Sequence, residues 1–438
     1  MPRSPEELRI RYALDEWPPP AAMSVIGLQW LVVLVPGLLV MGEVVSSAQG
    51  LSAPDKVVFL QRLLLVCGLA QFVQVLAGHR LPGLVGPSAA LMVGIISTTA
   101  DSLDSVYGAV AVGGGLCALL GFSGLAARLR RLYTPPVLAS TLMLIAMTLA
   151  PTMRDLMFSS RTLGGGGASF GFAMGLIMLM LWAQNFFRGL LSSSVLLLGM
   201  ALGAALFHFL GLAAAPAPAV ELGALGPPSL WPRSLELQGG VIVSFVLCYL
   251  AVISNELATV EAVGDIIQSP QMGRRQSRAV AVTGVFGVLA GLWGVPGPVT
   301  YSVSPGVLVS TKSASRWTLL PAAGAVLALA LWPQALSAFY LVPPPVVGAV
   351  LFFLMANTVY AALRLMVGGE GGGGGVSWSG GIVVGGAMTV GLVVAFMPPE
   401  VKAALPPMLK PLLANGFVMG LAVALLLEHV LLRQRPTP

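Results

Sequence analysis

The sequence predicts an all-α polytopic membrane protein: fourteen transmembrane segments in two inverted seven-span repeats, with spans 3 and 10 interrupted. Three observations carry this reading: the apolar composition, the placement of basic residues, and a matched pair of segments rich in Pro, Gly and Ser. Of 438 residues, 56% are hydrophobic and only 9% charged, against about 25% charged in a soluble domain. Mean hydropathy is +0.89. No soluble core needs so much apolar surface, so most of the chain is expected in lipid.

Apolar runs place the spans near 24–42, 57–78, 83–99, 105–126, 133–151, 169–187, 193–212, 240–267, 279–294, 300–312, 317–338, 343–366, 379–397 and 408–432. The opening "MPRSPEELRIRYALDEWPPP" is polar and ends in prolines, without the basic stretch and short apolar core of a cleaved signal. It reads as a cytoplasmic tail. With the N-terminus inside, sixteen of the 23 Lys and Arg fall in cytoplasmic segments and seven on the other side or at span ends. That split obeys the positive-inside rule, and an odd number of spans would scramble it, so both termini are expected in the cytoplasm. The expected location is the plasma membrane, a bacterial inner membrane.

Segments 83–99 and 300–312 are short and carry "PGLVGPSAALM" and "TYSVSPGVLVSTK" where a helix would run unbroken. In lipid, such breaks survive only where protein or a water-filled cavity satisfies the freed backbone. They occupy third positions of two seven-span halves, and both halves place a Pro-Pro-Val before a long apolar helix, at Thr134 and at Pro343. Because seven is odd, the second half inserts upside down. Paired interrupted helices in such a repeat point to a ligand site near the midplane.

The remaining features exclude other classes. The net charge of +6 accompanies no Lys/Arg run interleaved with aromatics, so no nucleic-acid partner is expected. Cys67, Cys117 and Cys248 lie in apolar runs without metal-ligand spacing, and His79, His208 and His429 form no cluster, so no metal is expected. The Pro-rich stretch before Gly239 reads as an external connection. "GGEGGGGGVSWSGG" (Gly368 to Gly381) reads as a flexible internal linker, since no Gly-Lys-Ser/Thr follows it. Without a Ser-His-Asp set, zinc ligands or a nucleotide loop, the chain is not read as an enzyme.

Three acids stand within or at the end of one apolar span, in "SNELATVEAVGDI": Glu256, Glu261 and Asp265. Acids in a span usually face a cavity or the bundle interior. Glu261 and Asp265 are i and i+4 and share a face. Glu256 is displaced from Glu261 by roughly 140° around the helix, so it points elsewhere, with neutralisation by a polar neighbour such as Asn255 as its simplest account. Carboxylates accept hydrogen bonds from the N–H groups of a planar ligand and can exchange protons when buried.

Several stretches resemble the nucleobase–ascorbate transporter family, the uracil and xanthine permeases. They are "GLQWLVVLVPG", "GHRLPGLVGPSAALM", "VEAVGDI", "GVLAGLWGVPGPVTYSVSPGVLVSTKSASRW" and "PPPVVGAVLFFLMANTVYAALRLM", in shared order and spacing over nearly the whole chain. The resemblance implies a tail over 1–23, a core domain over 24–126 (spans 1–4) and 240–338 (spans 8–11), and a gate domain over 127–239 (spans 5–7) and 339–438 (spans 12–14). It implies elevator-type transport of a nucleobase-like ring, coupled to protons, with sodium as the other candidate ion and no further cofactor. The sulfate and bicarbonate transporters of the same fold are the alternative, beside a non-transporting receptor. Glu261 corresponds to the carboxylate that grips the ring, and Asp265 to a polar position tied to proton coupling, a role also open to Glu261 and Glu256. Ser88, Ala89 and Ala90 lie at the third-span break, Gln29 matches a first-span glutamine, and Gly306 keeps the signature glycine. Members often pair through the gate domain, which implies a homodimer.

The departures are specific. The family signature runs Gln or Glu, Asn, any residue, Gly; here it reads Val303-Ser304-Pro305-Gly306, then four intervening residues, then Thr311-Lys312. Thr283 stands where many members carry Asp, and Trp30 where they carry His. Val303 offers no polar group, so Tyr301, Ser302 and Ser304 are the candidates to replace the missing half of the clamp.

Overall fold

A computed structural model describes residues 10–98, 102–129, 132, 134–159, 165–187, 190–212, 226–229, 234–339, 341–368, 376–406 and 408–432. Residues 369–375 of the glycine-rich stretch, most of the Pro-rich connection and both extreme termini, and with them the inferred sidedness of the ends, fall outside these residues; the rest of the expected linker is corrected in part, since Gly368 ends α15 and Trp378 to Gly381 open α16. The chain is built from helices α1 (Pro20–Ala48), α2 (Ala53–Leu76), α3 (Ala89–Ser97), α4 (Leu103–Phe122), α5 (Ala126–Leu129), α6 (Pro135–Thr148), α7 (Ala150–Met157), α8 (Gly165–Phe186), α9 (Leu190–Phe209), α10 (Gly239–Ile267), α11 (Met272–Trp293), α12 (Ser304–Thr311), α13 (Leu319–Ala330), α14 (Pro333–Phe339), α15 (Pro344–Gly368), α16 (Trp378–Ala395), α17 (Pro399–Ala404), α18 (Lys410–Leu413) and α19 (Gly416–Leu426). Among the described residues there are also two strands, β1 (Val85–Pro87) and β2 (Pro298–Thr300), a 3-10 turn at Arg316–Thr318 and a π-helical turn at Leu427–Leu431.

Among the described residues, eight helices, one of them the continuous run Pro135–Met157, are long and apolar enough to cross a membrane. A bent pair makes a ninth if it is counted as one span. That pair lies within the span expected over 317–338 and bends it sharply: α13 and α14 meet at 90°. Pro333 opens α14, and its missing N–H cannot continue the ladder of α13. The other short elements start where side chains can take orphan N–H groups. Ser88 accepts from Leu91 N at 3.3 Å, Ser102 from Ser105 N at 3.2 Å, and Asn415 from Val418 N at 3.2 Å.

Helices α4 and α11 pack main chain to main chain. A Cβ on Gly114 would lie 2.6 Å from Gly287 C, and one on Gly284 would collide with Ala118 N. Gly121 meets Ala281 in the same way. Small residues at three- and four-residue spacing let the helices approach, as in other membrane bundles.

The two interrupted segments are not simply broken helices. Each is a three-residue strand leading into a short helix, and the strands pair antiparallel, Val85 with Thr300, Gly86 with Val299 and Pro87 with Pro298. Side chains from long helices complete this buried pair. Gln71 of α2 accepts from Val85 N at 2.7 Å and donates to Gly83 O at 3.0 Å. Ser88 N reaches Gly297 O at 2.9 Å and Tyr301 N reaches Leu84 O at 2.6 Å. These backbone groups beside the breaks are thus satisfied inside the protein.

The described part of the N-terminal tail is also more ordered than its polar sequence suggests. Tyr12 bridges Ser313 in parallel, with Arg11 N on Lys312 O at 2.8 Å and Ala314 N on Tyr12 O at 3.0 Å. Arg316 pairs with Asp15 at 2.8 Å, and Trp17 stacks on Trp317 at 4.5 Å. The tail therefore straps the segment that links α12 to α13. Aromatic pairs contribute about 1 kcal/mol beyond area burial, so Trp17→Ala is expected to lower thermal stability in detergent by about that much. Equal stability of variant and parent would show that the stack contributes nothing.

His79, in the turn after α2, is fully buried. Its Nδ1 accepts from Leu81 N at 2.9 Å, and Arg275 donates to His79 O at 2.8 Å and to Arg80 O at 2.9 Å. Burial first, and the Arg275 charge second, push its pKa from 6.5 down to about 3. The unfolded chain therefore binds more protons between those values, so His79 supports stability fully above 6.5 and loses this support as pH falls toward 3. The stability gap between wild type and His79→Gln is expected to narrow on acidification over that window. A gap independent of pH would refute the assignment.

Candidate functional site

Helix α10 organises the site. Its first half lies along α3, where a Cβ on Gly94 would sit 2.8 Å from Cys248 Sγ. Its second half lies along α12, where Leu308 packs with Val260 and Val263. The paired strands cross it between these halves, at Asn255 and Glu256, which both bind Thr300. Both short helices begin within a few residues of that crossing. The N–H groups of Ala89 and Ala90 meet no main-chain partner among the described residues, as expected in a first helical turn, where they favour electron-rich ligand atoms.

One face of α10 is open along its second half: Ala258, Ala262 and Asp265 are exposed and Asn255 and Glu261 half-buried. Glu261 and Asp265 share this face, as the sequence spacing predicts. Glu256 lies on the opposite side and is fully buried. Thr300 donates to it twice, from N to Oε2 at 2.7 Å and from Oγ1 to Oε1 at 2.6 Å. The expectation that Asn255 neutralises it is corrected: Asn255 Nδ2 donates to Thr300 O at 3.3 Å instead.

The start of α12 supplies a second wall. Ser302, Val303 and Gly306 are exposed and Tyr301 is half-buried. Ser304 is buried, and its hydroxyl is committed, accepting from Leu84 N at 2.9 Å and donating to Tyr301 O at 2.6 Å. Tyr301 lies so close to Gly86 that a Cβ there would enter its ring, and its hydroxyl approaches Met41 Sδ at 3.6 Å. On the opposite wall Ala89 is half-buried and Ala90 buried, while the Ser88 hydroxyl is taken by its capping role. Gln29 is half-buried on α1, and its amide has no hydrogen-bond partner among the described residues.

Sequence reasoning missed the residues that hold this frame. Gln71 and Gln74 sit three apart on α2 and are buried; polar residues at that spacing in an apolar span were the available signal. Gln74 donates to Ala279 O at 2.9 Å and to Thr283 Oγ1 at 3.2 Å. The link between Asn415 Nδ2 and Thr98 Oγ1, at 3.1 Å, joins segments 317 residues apart and leaves no local signal.

An apolar helical bundle with two short helices that start at a crossed strand pair is the architecture of a multi-pass membrane permease. The Permease family model (Xan_ur_permease) matches residues 21–400, and the chain belongs to this family, the nucleobase–ascorbate transporters. YwdJ of Bacillus subtilis (strain 168), named as a candidate purine permease, is 26% identical over 93% of this chain and 96% of its own length. The uric acid permease PucK of the same organism is 24% identical over 73% of this chain and 76% of its own. Among solved structures, the transmembrane domain of a cyanobacterium bicarbonate transporter, BicA, aligns with a TM-score of 0.60 at 12% identity, covering 92% of this chain and 96% of that one. The murine anion transporter Slc26a9, in its inward-facing state, aligns with a TM-score of 0.58 at 11% identity, covering 93% and 68%. At these identities the likeness is one of fold.

Proposed function

We propose that this chain is a secondary active transporter of a nucleobase-like heterocycle, uracil, xanthine or a related ring, driven by proton entry. The observation that carries this reading is the open face of α10, which holds Glu261 and Asp265 on the same helix whose middle the paired strands cross at Asn255 and Glu256. Relatives named for purines and uric acid favour the same ligand class. In this reading Glu261 accepts the ring N–H groups. The main-chain N–H groups of Ala89 and Ala90 donate to ring carbonyls or nitrogens. Tyr301, Ser302, Val303 and Gly306 form the facing wall, Gln29 lies at its edge, and Ser88 and Ser304 brace it from behind. Asp265, one turn along on the open face, takes the coupling proton.

The proposed machine has fourteen spans in two inverted repeats, with the interrupted segments as spans 3 and 10. Residues 24–126 and 240–338 form the moving core, and 127–239 and 339–438 the gate, through which two copies pair. Both termini face the cytoplasm of a bacterial inner membrane. The first half of α10 abuts the gate, with Gly240 against the main chain of Met408, and Thr98 binds Asn415 across the same level. The second half is open. With the end of α10 inside, this arrangement is inward-facing, and outward opening breaks the Thr98–Asn415 bond.

Proteoliposomes with an imposed pH gradient test the reading. Labelled xanthine, uric acid or uracil is expected to accumulate inside when the outside is acid, and a protonophore is expected to abolish accumulation. Uptake that follows sodium and ignores pH would overturn the proton assignment. Uptake of sulfate or bicarbonate without any nucleobase would favour the anion transporters that share the fold, a reading weakened by the charge of Glu261. A thermal-shift screen against purines, pyrimidines and small anions ranks these ligands directly.

A further inference from the structure

We propose that Glu256 is a positioning residue, which holds Thr300 and so sets the strand crossing that places the wall facing Glu261; this rests on the transport reading above. Two adjacent residues of α10 grip three groups of one residue of β2. Glu256 takes the Thr300 N–H and hydroxyl at 2.7 and 2.6 Å, and Asn255 holds its carbonyl at 3.3 Å. Among the described residues Glu256 has no cationic partner.

The residue type follows from this geometry. A carboxyl group offers two oxygens that can take several donors at once. Thr300 is paired with Val85, whose N–H is held by Gln71 at 2.7 Å. Each strand thus carries one anchor from a long helix. Side chains alternate along a strand, so slippage by one residue would turn over everything that follows. Here that is Tyr301 to Val303, whose main chain begins on the Leu84 carbonyl. Glu256 lies on the far side of α10 from the open face, so it acts on the ligand only through Thr300.

The test compares Glu256→Gln, Glu256→Ala and Thr300→Val in proteoliposomes with labelled xanthine and uric acid, beside amide exchange of the peptide spanning Thr300. Glu256→Ala is expected to raise KM about tenfold, equivalent to about 1.4 kcal/mol, with turnover per folded copy little changed and faster exchange at Thr300. Glu256→Gln keeps an acceptor for the Thr300 N–H, since the threonine hydroxyl can reverse, and is expected to restore most of the affinity. Thr300→Val, which keeps only the N–H bond, is expected between them. All three keep the wild-type pH profile. Unchanged KM and unchanged exchange in Glu256→Ala would overturn the proposal. So would a flattened pH profile in Glu256→Gln, which would make Glu256 a proton carrier. If Glu256→Ala does not fold, Thr300→Val takes its place: a raised KM with faster exchange supports the clamp, and no change in either overturns it. If the wild type moves no base at all, the transport reading fails, while exchange at Thr300 still reports on the clamp.

Discussion

Replacing Glu261 with glutamine is expected to reduce nucleobase uptake by about two orders of magnitude while leaving the amount of inserted protein unchanged. A hydrogen bond to a charged group contributes about 1.5–3 kcal/mol, and each 1.4 kcal/mol is about tenfold. Val303 offers no polar group opposite, and the hydroxyl of Ser304 is already committed to Leu84 and Tyr301. Glu261 therefore carries more of the ligand grip than it would beside an intact polar pair. Glutamine also presents an NH2 donor where the carboxylate presents only acceptors. Insertion is not at risk, because Glu261 lies on the open face of α10 rather than in its packed side. Full uptake by Glu261→Gln in vesicles would sink the assigned role. The restorative experiment is Val303→Gln, which supplies a second polar group beside the exposed start of α12 and is expected to tighten binding of the more polar rings.

The largest effect on stability is expected at the contact between α4 and α11. Gly284→Val places a branched side chain against Ala118 N and Gly114 O. These are main-chain atoms that cannot rotate away, so the helices must separate. Overpacking costs about 1–3 kcal/mol where side chains can adjust, and a backbone contact sits at or above the upper end. Loss of most folded protein on size-exclusion chromatography in mild detergent is the expected outcome. Gly324→Ala in α13 is the control, because its Cβ would meet nothing within 4 Å and alanine favours a helix. A monodisperse, thermally unchanged Gly284→Val would refute the close packing of these helices.

Much of the candidate site was legible before the fold was known. Glu261 and Asp265 share a face because four residues make roughly one turn, and that holds wherever the helix is placed. The interrupted segments were legible because Pro and Gly in a short apolar stretch cannot continue a lipid-exposed helix. Glu256 was legible only by exclusion. Spacing turned it away from Glu261 but could not say what it faces, and the nearest polar neighbour, Asn255, was the wrong partner. Its true partner is 44 residues away in sequence. The bend at Pro333 had a visible cause, but hydropathy carries no direction, so its 90° angle was not legible.

Residue order was enough for the membrane class, the apolar segments, the two breaks and the face shared by Glu261 and Asp265. These depend on composition and on the helical repeat, which are local. Only packing in three dimensions established that Val85–Pro87 and Pro298–Thr300 pair as strands and that Glu256 secures that pair. The same is true of the tail, which returns to bind Ser313. Those contacts join residues far apart along the chain, and their energy exists only once the helices between them have packed.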